Sequence, residues 1–135
     1  MRLAVLDTNV VVSAAIQRLG ASAQIVWEAL DGRIQLVTCA AVIAEYREVV
    51  HRPRLAGKGL PPEWLGFLVD QSLLLPDPPS WPLPGPDPDD LVFLALARSA
   101  GAVLVSGNLA DYPEAIRNGV SVLSPKDYWA SLQQD

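Results

Sequence analysis

The residues of this chain that could do chemistry are mostly acids, spread widely along the sequence. Asp7 closes the apolar run Leu3-Ala4-Val5-Leu6, Glu45 lies within Ala41–Val50, Asp90 ends Asp87-Pro88-Asp89-Asp90, and Asp111 follows Ser106-Gly107-Asn108. A carboxylate at the end of a buried strand needs a partner, a cap or a metal to offset its desolvation. Asp7 therefore reads either as the N-cap of a following helix or as a ligand. Asn9 reads either as a cap or as an amide holding the Asp7 carboxylate. Glu45 falls three residues after Val42 and four before Val49, on the apolar side of its helix, where it is either functional or part of a buried salt bridge. Glu48 points away from that side. Asp90 precedes Phe93 by three residues and can face inward, whereas Asp87 and Asp89 are better placed as cap and solvent residues.

If Asp7, Glu45, Asp90 and Asp111 converge, their mutual repulsion calls for cations. Hard oxygen ligands, with one histidine (His51) and one cysteine (Cys39) in the whole chain, favour Mg²⁺ or Mn²⁺ over zinc. Such a cluster suits metal-assisted phosphodiester hydrolysis, in which the ion acidifies a water and no protein nucleophile is needed. That agrees with the lack of a Ser-His or Cys-His arrangement.

The elements that must position these acids can be read from the apolar pattern. Leu3–Leu6, Ile34–Val37, Ala102–Val105 and Val120–Leu123 are short apolar runs suited to strands buried on both faces of a parallel sheet. Between them the spacing predicts helices over about 9–18, 24–30, 40–51, 61–73, 89–101 and 125–132, with Thr8 or Asn9 capping the first and Thr38 the third. Leu73–Leu75 reads as the end of a helix or as a further short strand. Seven of the thirteen residues from Pro76 to Pro88 are proline, which forbids helix and inner strand and predicts a stiff strap within one domain. The alternation implies an α/β fold with a mainly parallel central sheet, in which ligands sit beyond the carboxyl ends of the strands. Asp7-Thr8-Asn9 and Ser106-Gly107-Asn108 both fall there.

A chain of 135 residues that is half hydrophobic suits a single domain, 1–135, with a substantial core. Ten Lys+Arg against fifteen Asp+Glu give a formal charge of −5, which by itself argues against coating nucleic acid through a positive field. One cysteine excludes an internal disulfide, and no apolar run spans a bilayer or resembles a signal peptide, so a cytoplasmic protein without a membrane partner is expected. Setting the four candidate ligands aside leaves a nearly neutral shell. The acidity is thereby concentrated at a site and does not bar a nucleic-acid substrate.

Taken in order, Val5-Leu6-Asp7-Thr8-Asn9-Val10, Ile43-Ala44-Glu45-Tyr46, Asp87-Pro88-Asp89-Asp90 with Phe93-Leu94-Ala95-Leu96-Ala97, and Val103-Leu104-Val105-Ser106-Gly107-Asn108 resemble the PIN domain family, particularly the VapC-like toxins of toxin–antitoxin pairs. The resemblance implies a Rossmann-like three-layer sandwich and a Mg²⁺- or Mn²⁺-dependent ribonuclease acting on RNA. It places the family's first three acids on Asp7, Glu45 and Asp90. Many relatives carry Asp where this chain has Asn108, so Asp111 or Asn108 would fill the fourth position. Thr8, Asn9, Ser106 and Asn108 are the implied supporting polar residues. A homodimer and an inhibitory antitoxin are the implied partners.

Arg47, His51, Arg52, Arg54 and Lys58 gather five potentially positive groups in twelve residues. Arg47, Arg52 and Arg54 are candidate RNA contacts, against the plainer reading that cations near a helix C-terminus complement its dipole. A receiver-like signalling domain would want a phosphoacceptor after a middle strand, where Thr38-Cys39 stands, and a late lysine, and no lysine occurs between Lys58 and Lys126. A haloacid-dehalogenase-like phosphatase would want an acid at position 9, where Asn9 stands. The remaining alternative is a degenerate PIN domain that binds RNA or an antitoxin without cleaving.

Overall fold

The structure, a computed structural model, describes residues 2–52 and 63–134. The order is β1 (Arg2–Leu6), α1 (Thr8–Ile16), α2 (Ala21–Leu30), β2 (Ile34–Thr38), α3 (Ala40–Val50), α4 (Glu63–Gln71), β3 (Leu73–Leu74), α5 (Leu91–Ala100), β4 (Val103–Val105), α6 (Glu114–Arg117), β5 (Val122–Leu123) and α7 (Pro125–Leu132). Short 3₁₀ turns at Pro88–Asp90 and Leu109–Asp111 precede α5 and α6. All strand pairings are parallel, in the order β3-β2-β1-β4-β5, so helices must carry the chain between them. The expected α/β architecture is therefore present, and Leu73–Leu74 is a strand at the sheet edge. Among the described residues no single helix is long and apolar enough to cross a membrane.

The order also fixes where a crevice must lie. From β1 the chain moves outward to β2 and β3, then crosses to β4 on the other flank of β1. The connections leaving β1 and β4 diverge, and the space above the carboxyl ends of these neighbours is the switch point at which α/β sheets bind ligands. Register sets Leu6 against Val105, so Asp7 and Ser106 emerge side by side, and the Asp7 amide donates to the Val105 carbonyl at 2.9 Å.

The core explains why the strands are uniformly apolar. Ala4, Val5, Leu6, Leu104 and Val105 are buried, with Val10, Val11, Phe93, Leu94 and Leu96 packed around them from α1 and α5. The buried hydroxyl of Tyr46 on α3 donates to the Leu6 carbonyl, tying the Glu45 turn to the end of β1.

Capping differs from the expectation. Asp7 occupies the N-cap position of α1, but neither it, Thr8 nor Asn9 makes a side-chain cap there. Thr38 ends β2 and its hydroxyl pairs with Ser72 at 2.7 Å. At the start of α3 the amide of Ala41 instead donates to Asp77 of the proline-rich strap, at 3.1 Å. Capping from a distant segment leaves no local sequence signal. Ser124 does cap α7, with Pro125 at its first turn.

The strap is fastened at further points: the Trp81 indole N–H donates to the Ile116 carbonyl at 2.9 Å, and Gly85 passes close under α5 and α6. A Cβ at Gly85 would meet Ile116 Cδ1 at 2.8 Å and Leu91 Cδ2 at 3.0 Å, whereas one at Gly66 on α4 meets open space. Urea unfolding should therefore show Gly85→Ala destabilising by about 1–3 kcal/mol through overpacking. Gly66→Ala should stabilise by roughly 0.5–1 kcal/mol through helix propensity. Equal effects at the two positions would contradict the close packing of the strap.

Candidate active site

Asp7 is 2 % exposed although it carries a carboxylate, so its surroundings must replace water. They do so through one oxygen. Oδ2 accepts from the Tyr112 hydroxyl at 2.7 Å, the Ser106 hydroxyl at 2.9 Å and the Asn9 amide at 3.3 Å. Charge-assisted bonds of this kind contribute roughly 1.5–3 kcal/mol each. Burial pushes the Asp7 carboxyl up from its ordinary value, and the Tyr112 and Ser106 bonds pull it back.

Asn9 and Ser106 lock the two strand ends together. The Asn9 amide also reaches Ser106 Oγ at 3.4 Å, and its Oδ1 accepts the Gly107 amide at 2.8 Å. The Asn108 amide donates back to Ser106 Oγ at 3.0 Å, closing the turn. A Cβ at Gly107 would sit 3.2 Å from Asn9 Oδ1, so a side chain there would push that amide by a few tenths of an ångström.

Glu45 reaches the same rim from α3. Its Oε1 accepts the Thr8 hydroxyl at 2.8 Å, and its carboxyl is raised by burial, an effect the Thr8 bond opposes and the Asp7 charge reinforces. The Thr8 hydroxyl thus serves the acid of another helix and not its own helix start.

Among the described residues the tightest convergence is Asp87, Asp90 and Asp111, each offering an oxygen within 4.8 Å of the others. All three are half-buried. The sequence points to Asp90 and Asp111 at this site and to Asp87 as a cap. It does cap, its Oδ1 accepting the Asp89 amide at 3.0 Å, yet it also belongs to the cluster. The missed signal is the Asp87-x-x-Asp90 spacing, which one tight turn brings to a single side; Asp89, between them, is exposed as expected. Asp7 and Glu45 lie outside this closest group, although Asp7 is near enough that its charge raises Asp90. The four expected acids thus share one rim, with the closest approach made by Asp87, Asp90 and Asp111. Asn108 donates to Asp111 Oδ2 at 3.0 Å, so it orients that carboxylate.

Tyr112, unassigned in the sequence, is fully buried. Its hydroxyl is pushed far above the ordinary tyrosine value by burial and by the Asp7 charge, so it remains a donor. The hint available was a tyrosine next to an acid in a segment otherwise rich in turns, since a buried tyrosine hydroxyl requires a partner.

Arg47 is exposed on α3, and Arg52 lies 3.6 Å from Glu48 in a solvent-facing pair. Arg52 also lines a groove of ≈ 430 Å³ with Thr8, Asn9, Val12, Ser13, Ile16 and Val49, which opens beside the acid rim. Arg54 lies outside the described residues.

The cluster carries more negative charge than it can hold alone. Asp90 is pushed up to about 8, first by burial, then by its hydrogen bond with Asp111 and by the charges of Asp7 and Asp87. A donor set of hard carboxylate oxygens within 4.8 Å fits a divalent cation such as Mg²⁺ or Mn²⁺, whose charge would replace the retained proton.

Parallel strands meeting at a carboxylate-lined switch point define a Rossmann-like domain with an acidic site. The chain belongs to the PIN domain family, which residues 3–110 match. A search of curated protein sequences finds no match. Among solved structures the chain is similar to one from the VapBC2 complex of Rickettsia felis, determined bound to a DNA fragment from their promoter. That similarity has 16 % identity and a TM-score of 0.61 over 90 % of this chain and 98 % of that one. It is also similar to a chain of FitAB bound to an IR36 DNA fragment, at 17 % identity and a TM-score of 0.55 over 93 % and 95 %. Both likenesses concern the fold.

Burial and neighbouring acids raise the Asp90 carboxyl in the folded protein. A carboxyl raised in the folded state keeps its proton where the unfolded chain, at 3.8, has lost it. The stability it contributes is full below that value and is lost as pH rises toward about 8. In chelator-containing buffer, Asp90→Asn should flatten the fall in thermal midpoint between about pH 4 and 8. At the upper end it should raise the midpoint by roughly 4 °C, equivalent to about 1 kcal/mol, in circular-dichroism melts.

Proposed function

We propose that this chain is a Mg²⁺- or Mn²⁺-dependent endoribonuclease and the toxin component of a toxin–antitoxin pair. The observation that carries the reading is the convergence of Asp87, Asp90 and Asp111 on the rim that bears Asp7 and Glu45, in a PIN domain. The bound ion would supply Lewis acidity and an acidified water for attack on a phosphodiester.

The rest falls to the chain itself. Asp7, Glu45, Asp90 and Asp111 would hold the ion, with Asp87 as a further carboxylate beside Asp90 and Asp111. Thr8 fixes Glu45, while Ser106, Tyr112 and Asn9 fix Asp7. Asn108 fixes Asp111. Arg52 and the groove beside Thr8 and Asn9 would receive the RNA backbone, with Arg47 and Arg54 as further phosphate contacts. The net charge of −5 makes such local cations more important, since no overall positive field attracts RNA.

The fold likeness to chains of VapBC2 and FitAB supports an antitoxin partner. A homodimer in the cytoplasm completes the proposal. A small antitoxin-like reading frame directly upstream would strengthen the toxin assignment.

A second reading, a degenerate PIN domain that binds RNA or an antitoxin without cleaving, is favoured by one feature: Asn108 stands where many relatives carry an acid. Cleavage of single-stranded RNA by the purified chain should require Mn²⁺ or Mg²⁺, stop with chelator, and fall by about 100-fold or more in Asp7→Asn. That variant should keep the circular-dichroism spectrum of the folded protein. Stoichiometric Mn²⁺ binding without cleavage of any RNA tested would select the degenerate reading. Calorimetry showing no Mn²⁺ or Mg²⁺ binding would sink the carboxylate-site reading altogether.

A further inference from the structure

The donors around Asp7 are distributed unevenly. The side-chain bonds from Tyr112, Ser106 and Asn9 all end on Oδ2, at 2.7, 2.9 and 3.3 Å. A carboxylate oxygen offers about two lone-pair directions, so the two hydroxyls alone fill those of Oδ2. Oδ1 is therefore the one Asp7 oxygen outside these side-chain bonds, with the Thr8 backbone amide as the further donor to the carboxyl.

Tyr112 is not free to swing away. Its side chain is completely buried. Its own amide donates to the Leu109 carbonyl at 3.0 Å, and its carbonyl accepts from Arg117 Nε at 2.7 Å. Releasing Asp7 would leave a buried hydroxyl without a partner, at a cost of about 1–3 kcal/mol. Ser106 is equally buried and is held by the Asn108 amide as well.

Divalent ions respond differently to a one-oxygen carboxylate. Mg²⁺ and the similarly small Mn²⁺ prefer six ligands in near-octahedral arrangement, one oxygen from each carboxylate. Ca²⁺ accommodates 6–8 oxygens and gains from bidentate carboxylates. We infer that Tyr112 is a positioning residue that, with Ser106, confines Asp7 to one-oxygen ligation and so makes the site discriminate against Ca²⁺. This rests on the metal-site reading above and adds to it the rejection of Ca²⁺, with the one-oxygen restraint on Asp7 as its cause.

The test is calorimetric titration of the full chain and of Tyr112→Phe, Ser106→Ala and the double variant with MnCl₂ and CaCl₂ at one pH and ionic strength. Thermal melts without metal verify folding, and Ser106→Ala supplies an independent handle should Tyr112→Phe not fold. Loss of an orienting partner typically weakens metal binding by about 10–100-fold. That loss is expected for Mn²⁺ only, with Ca²⁺ affinity held or increased, so that the Mn²⁺ preference narrows by about tenfold or more in each folded variant and further in the double. If Mn²⁺ and Ca²⁺ weaken together, or neither changes, the inference is overturned while the metal site stands. If the wild-type chain binds no Mn²⁺, both fall.

Discussion

The structure turns on a buried carboxylate. Asp7 sits at the end of the central strand, nearly sealed from water, and an isolated charge there would not be tolerated. Its desolvation is offset by donors from three parts of the chain: Asn9 at the start of α1, Ser106 after β4, and Tyr112 before α6. The same bonds that make the charge bearable fix the relative positions of those segments. Much of the polar architecture of the rim follows from that requirement.

The other acids are held by a different balance. Glu45 approaches on a helix anchored by Tyr46 to the Leu6 carbonyl, and the Thr8 hydroxyl steadies its carboxylate. Asp87, Asp90 and Asp111 are arranged less comfortably, since burial and the neighbouring acids push the Asp90 carboxyl well above its ordinary value. Two regimes therefore meet on one rim: a carboxylate saturated by hydrogen bonds, and a cluster whose repulsion is relieved by protonation or by a cation. The second regime fits a divalent ion, whose charge would take the place of the retained proton.

The proline-rich strap contributes more than a connection. It supplies Asp77 to the start of α3, the Trp81 indole to the Ile116 carbonyl, and Asp87 to the acid cluster. Fixed backbone angles allow such a segment to cross the surface at little entropic cost while delivering these side chains to distant elements. Its end at Asp87–Asp90 turns tightly enough to place two carboxylates together.

Sequence alone determined the parallel sheet, the helix order and the end-of-strand positions of Asp7 and Ser106, because each is written in local apolar periodicity and the polar residue that interrupts it. Asp7 and Ser106 are legible as candidate-site residues because both end buried strands, and Glu45 because it falls on an apolar face. What sequence did not determine were contacts between segments far apart in the chain. Tyr112 bonds to a residue 105 positions away, and Asp77 caps a helix 36 residues upstream. Asp87 has an ordinary local duty as a cap that concealed its place in the cluster. Only the tertiary structure decided these. A hydrogen bond depends on where two groups meet in space, and spacing along the chain carries that information only within a single helix, strand or turn.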